Sequence, residues 1–81
     1  MLDRSIVNER LNEVFRDTFD NEEISVADDT TAADVDGWDS LAHITLILAV
    51  EREFRIKMTA SEIGSLKNVG QLVDLIAARA G

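Results

Sequence analysis

The chain reads as a small all-α protein, a four-helix bundle of three longer helices and one short one, with a long first loop. Three observations predict this. Apolar residues recur at helical spacing in residues 3–19, 40–54 and 69–80. A residue type that favours helix starts stands at the head of each segment, at Asp3, Asp39 and Asn68. Between residues 20 and 39 the periodicity disappears, and so long a connection in a compact domain is functional or is tied down by its own apolar side chains.

Each element can be justified in turn. In the first helix Ile6, Val7, Leu11, Val14, Phe15 and one of Thr18 or Phe19 follow the i, i+3, i+4 spacing, with Arg4, Glu9, Arg10, Glu13, Arg16 and Asp17 between them. Ile24, Val26, Val35 and Trp38 are the expected anchors of the loop. The second helix carries two apolar stripes. At about 100° per residue, Leu46, Ile47, Val50 and Phe54 share one face, with His43 at its N-terminal end. Leu41, Ile44 and Leu48 lie nearly opposite, beside Thr45, Glu51 and Arg52. A protein this small can bury only one stripe fully, so the second is expected to be exposed and to bind partners. Arg55-Ile56-Lys57-Met58 is a connector with Ile56 and Met58 inward. Thr59 and Glu62 form a capping box for a short helix containing Ile63, which ends at Gly64-Ser65. Asn68 caps the last helix with Gln71 in the reciprocal position; Leu72, Val73, Ile76 and Ala80 form its inner stripe and Gly81 terminates it.

The bulk numbers exclude several classes of function. Eighty-one residues make one domain, residues 1–81, with too modest a core for a deep catalytic cleft. Cysteine is absent, which removes disulfides and thiolate metal sites. No apolar run approaches the ~20 residues of a membrane span, and the polar first residues lack the apolar segment of a signal peptide. The expected location is cytoplasmic, without membrane insertion. The formal net charge is −8, which argues against nucleic acid as a partner. No Lys or Arg occurs from Asp17 through Glu51, while Asp20, Glu22, Glu23, Asp28, Asp29, Asp34, Asp36 and Asp39 crowd one segment. That acid keeps the chain soluble and can steer basic partner enzymes toward the start of the second helix.

The chemistry concentrates in Gly37-Trp38-Asp39-Ser40-Leu41. Gly37 relaxes the backbone before the turn. Asp39 can accept a hydrogen bond from the first-turn N–H groups. Ser40 falls where those groups and the positive end of the helix dipole favour an anion, so its hydroxyl is well placed to hold a phosphate. Ser40 and His43 are i, i+3 neighbours, yet the helix turns His43 about 60° away toward the core face. A nucleophile would also need an oriented base, an oxyanion hole and a walled pocket. His43 is better read as a boundary residue that satisfies a loop or backbone group. Asp34, Asp36 and Asp39 do not make a calcium loop, because Gly37 comes too early and Thr45 stands where glutamate is required. One histidine with scattered carboxylates is weak support for zinc. No metal site is expected.

These residues resemble the attachment site of acyl and peptidyl carrier proteins. The likeness runs through Trp38-Asp39-Ser40-Leu41-Ala42-His43-Ile44, then Val50-Glu51-Arg52-Glu53-Phe54, then Leu66-Lys67-Asn68-Val69-Gly70-Gln71-Leu72-Val73. It covers roughly residues 3 to 78. The resemblance implies a non-catalytic acyl or aminoacyl carrier with 4′-phosphopantetheine from coenzyme A attached to Ser40 as a phosphodiester. Asp39 and Leu41 would belong to that attachment site. Leu41, Ile44, Thr45, Leu48 and Glu51 would be the docking surface, and Leu46, Ile47, Met58, Ile63 and Leu66 the lining of a space for an acyl chain. The implied partners are a phosphopantetheinyl transferase and enzymes that load and transfer acyl or aminoacyl groups in fatty acid, polyketide or nonribosomal biosynthesis. The carrier is expected to be a monomer. Ala42, Thr45 and Arg52 replace acids common in carriers of bacterial fatty acid synthesis, which points to a specialised, free-standing carrier. The alternative reading is an acidic helical interaction module without a cofactor.

Overall fold

Asp3 opens the first helix by accepting hydrogen bonds from the Ser5 N–H and hydroxyl, both at 2.9 Å. These contacts, the backbone one foremost, hold its carboxyl below the usual range. The computed structural model describes residues 3–80. It contains α1 (Arg4–Thr18), a single 3-10 turn (Ala32–Asp34), α2 (Ser40–Phe54), α3 (Ala60–Ser65) and α4 (Val69–Arg79). The fold is the expected all-α bundle, and every described residue outside these elements lies in a loop or turn. Gly81, the expected terminator of α4, lies outside the described residues.

The core is built where α1, α2 and α4 bring their apolar stripes together. Val7, Leu11 and Phe15 meet Leu46, Ile47 and Val50, and Leu72, Val73 and Ile76 close the third side. Ile56 and Met58 point inward as expected. Ile6 does not. It is nearly half exposed, because Val7, Leu11, Val14 and Phe15 already fill the inward arc of α1 and a neighbour of Val7 is turned outward by about 100°.

The loop between α1 and α2 is fastened at three places. Asn12, a buried polar residue, accepts from the Val26 N–H at 2.7 Å and donates to the Asn8 carbonyl at 2.8 Å. Arg16 Nε donates to the Ile24 carbonyl at 2.8 Å. The first turn of α4 provides the third fastening: the Val69 N–H donates to Thr30 O and the Gly70 N–H to Asp28 O, both at 2.9 Å. The approach is close enough that a Cβ on Gly70 would lie 2.9 Å from Asp28 O. Arg4 also pairs with Asp28 at 2.9 Å and with Asp74, so α1 neutralises part of the loop's acid.

The short helix is held differently, by polar contacts at its ends. Glu62 and Thr59 complete the predicted capping box, the Glu62 N–H donating to Thr59 Oγ1 and the Thr59 N–H to Glu62 Oε1. Arg79, at the end of α4, donates to the same carboxylate and to the Lys57 carbonyl. The Arg79 guanidinium, followed by the Thr59 N–H, lowers the Glu62 carboxyl to about 2. At α4, Asn68 accepts from the Gln71 N–H at 2.9 Å, as predicted for the cap. Gln71 does not return the bond to Asn68. Its side chain accepts from the Lys67 N–H at 2.9 Å, one residue further back.

Candidate functional site

The site is assembled at the point where the fastened loop enters α2. Gly37 takes a φ of +87°, a conformation open to glycine at little cost. The Trp38 N–H donates to Val35 O at 3.2 Å and the Asp39 N–H to Gly37 O at 3.0 Å, so the chain turns sharply just before the helix. Asp39 is the N-cap: its Oδ1 accepts from the Ala42 N–H at 2.8 Å. Ser40 is the first helical residue and is exposed. The helix places its unpaired first-turn N–H groups and positive dipole end at this serine.

Beside Ser40 lies an open groove of about 390 Å³, bordered by Ala32, Trp38, His43, Ile63 and Leu66. The loop wall is anchored by aromatic packing. Trp38 meets Phe15 edge-on at 5.1 Å between ring centroids and stacks on His43 at 5.9 Å. The histidine joins both walls. Trp38 Nε1–H donates to His43 Nδ1 at 3.1 Å, and His43 Nε2 lies 3.1 Å from the Ile63 carbonyl. An indole N–H can only donate, so Nδ1 is the acceptor and Nε2 carries the proton given to Ile63. With both nitrogens engaged, the one histidine in the chain is unavailable as a base for Ser40. Among the described residues, no group of three or more His, Asp or Glu side chains converges as a metal site.

The other residues singled out in the sequence divide by exposure. Leu41, Ile44 and Leu48 are 74%, 55% and 57% exposed, and Thr45 is also exposed. Glu51 departs from its expected place on this surface. It is half-buried, and its carboxylate accepts from the Met58 N–H at 2.8 Å, pinning the connector after α2. The expected acyl lining also splits. Ile63 and Leu66 border the groove, whereas Leu46, Ile47 and Met58 are buried in the core. Leu46 and Ile47 follow His43 by three and four residues, so they lie one helical turn deeper than the groove. Trp38 and His43, by sequence a loop anchor and a boundary residue, are also walls of the groove. Their i, i+5 spacing across a helix start was the available signal.

The residues at this site fit a phosphate-linked arm: an exposed hydroxyl on a helix first turn, with an open groove alongside. A family model described as a phosphopantetheine attachment site matches residues 9–76. The fold is similar to the solution NMR structure of a holo acyl carrier protein from Geobacter metallireducens, with a TM-score of 0.85 and 40% sequence identity over 90% of this chain and 84% of that one. The chain belongs to the phosphopantetheine-attachment family and is a carrier protein of the acyl-carrier-protein kind.

Proposed function

We propose that Ser40 Oγ is the point at which 4′-phosphopantetheine is attached and that residues 1–81 work as one carrier domain. Position supports this reading most directly: Ser40 is exposed at the first turn of α2, beside the groove, inside the matched span. Asp39 holds that turn in place through Ala42, and Leu41 stands exposed next to the hydroxyl. When bound, the group supplies a flexible arm whose thiol carries acyl or aminoacyl cargo as a thioester. The chain itself is not an enzyme in this proposal, since His43 is committed to Trp38 and Ile63 and the catalytic groups come from its partners.

Those partners are a phosphopantetheinyl transferase and enzymes that load and unload cargo. They would dock on Leu41, Ile44, Thr45 and Leu48, an exposed and largely apolar face on the helix that Ser40 opens; Glu51 contributes through the connector it pins. A net charge of −8 supports the absence of nucleic acid among the partners. Among the described residues no helix is long and apolar enough to cross a membrane. Action as a cytoplasmic monomer belongs to the same proposal and is checked by fractionation and sedimentation.

Intact mass after co-expression with a phosphopantetheinyl transferase tests the attachment. The wild-type chain should gain one phosphopantetheine. Ser40→Ala should gain none while keeping its stability within about 0.5 kcal/mol, as expected for an exposed site. A single addition to the Ser40→Ala chain would overturn the assignment.

A further inference from the structure

We propose that Trp38 and His43 close the way from Ser40 into the core, so that the cargo is a short or polar acyl group held in the surface groove and not a long alkyl chain buried between the helices. This rests on attachment at Ser40 and specifies the cargo class of that site.

Two ways lead from Ser40 along α2 toward Leu46 and Ile47, one between α2 and α3 and one between α2 and the loop. His43 bars the first route through its bond to the Ile63 carbonyl at 3.1 Å. Trp38 bars the second, because its ring is wedged against Phe15 and stacked on His43, and its N–H is bonded to the same imidazole. Two hydrogen bonds thus run in series from the loop through α2 to the residue beside the groove. Opening either route breaks one of them and leaves a polar group unpaired in a half-buried setting. Beyond the barrier there is no prepared room, since Leu46, Ile47 and Val50 are at most 1% exposed and packed against α1 and α4. Beside the barrier lies a hollow of about 50 Å³, bordered by Trp38, His43, Leu66 and Leu72. The groove outside is the larger space, and its walls mix apolar Ile63 and Leu66 with the polar edges of Asp39 and His43.

The test loads the wild-type chain, His43→Ala and Trp38→Phe with acetyl, butyryl, octanoyl and dodecanoyl groups. A phosphopantetheinyl transferase and the matching acyl-coenzyme A donors supply them. Ser40 Oγ forms a bond to the donor's pantetheine-bearing phosphorus, the pyrophosphate bond breaks, adenosine 3′,5′-bisphosphate leaves and the serine proton passes to the transferase. Intact mass establishes loading first; failure to load at Ser40 overturns the attachment reading and this proposal with it. On loaded protein the readouts are the rate of thioester cleavage by hydroxylamine and the methyl chemical shifts of Leu46 and Ile47. In the wild type the rates should stay alike across the series and those methyls should not move, while Ile63 and Gly64 amides respond. In His43→Ala the octanoyl and dodecanoyl thioesters should become several-fold slower to cleave than the acetyl one, with Leu46 and Ile47 shifting. Trp38→Phe keeps a ring but loses the N–H, and should show a smaller gain in the same direction; it carries the test if His43→Ala melts below assay temperature. Protection of the dodecanoyl thioester in the wild type, with movement of Leu46 and Ile47, would overturn the proposal. So would variants that gain no length dependence.

Discussion

Along α2, Leu46, Ile47, Val50 and Phe54 are sealed in the core, while Leu41, Ile44 and Leu48, no less apolar, stand in solvent. The two faces differ in what lies beside them. α1 and α4 pack on the inner side, and the loop is fastened across their ends. Nothing in the described chain crosses the outer side. Hydrophobicity therefore does different work on the two faces: inward it contributes to the folding free energy, and outward it remains in solvent, where the proposed function has it meet a surface supplied by another molecule.

Replacing Phe54 by alanine attacks the sealed face and should have the largest effect. The side chain is buried and also lies under the Arg10 guanidinium at 4.6 Å. A loss of about 3–5 kcal/mol is expected from transfer and cavity together, a large share of the ~5–15 kcal/mol typical of a whole domain. Denaturant melts measure it, and a loss below about 1 kcal/mol would show that the inner face is not the core. Asp39→Ala acts at the seam between the faces. It should cost about 1 kcal/mol of capping and also slow modification, whereas a melt identical to wild type would remove Asp39 as the cap. Leu48→Ala acts on the open face alone. Stability should change by no more than about 0.5 kcal/mol, yet the transferase should modify the variant more slowly, since truncating a docking leucine weakens the complex. Equal destabilisation by Leu48→Ala and Phe54→Ala would erase the distinction between the faces.

The smallest effect lies off both faces, in the contact of Arg79 with Glu62. The Glu62 carboxyl is lowered from 4.5 to about 2 by the Arg79 guanidinium and the Thr59 N–H. A carboxyl lowered in the fold stabilises it fully above the unfolded value, and that contribution fades as pH falls from 4.5 through about 2. Melting of Glu62→Gln should therefore trail the wild type near neutral pH and converge with it through this window. Added salt should narrow the gap, because the pair is partly exposed. A gap that is constant with pH would mean the carboxylate charge contributes nothing.

The parts legible in the sequence were those fixed by neighbours along the chain. Asp39, Thr59 with Glu62, and Asn68 cap their helices within three residues, so their spacing carries the geometry. The two faces of α2 followed from rotation per residue alone. What could not be read there depends on contacts between distant segments. Asn12 looks like a polar helix residue until Val26 arrives beside it. Glu51 looks like surface acid until the connector folds back to offer the Met58 N–H. Leu46 and Ile47 are apolar and near Ser40 in sequence, but the groove is bordered by His43 and Ile63, bonded to each other from twenty residues apart. Periodicity assigns a residue to a side of its own helix; it carries no information on which segment will stand opposite.

The bonds from Val69 and Gly70 to Thr30 and Asp28 bear on when the site matures during synthesis. Ser40 and the loop before it leave the ribosome first, and the segment that fastens the loop is made some thirty residues later. At roughly 5–20 residues per second the delay is short, but it has a direction. Until α4 has formed, the Asp28 and Thr30 carbonyls lack these partners, with Arg4 alone holding the Asp28 carboxylate, and Ala32 just beyond them is one edge of the groove. A nascent chain therefore displays its serine before it has the surroundings that define the site. If Ser40 is modified as proposed, completion of the last helix is the step that gives the serine its finished surroundings.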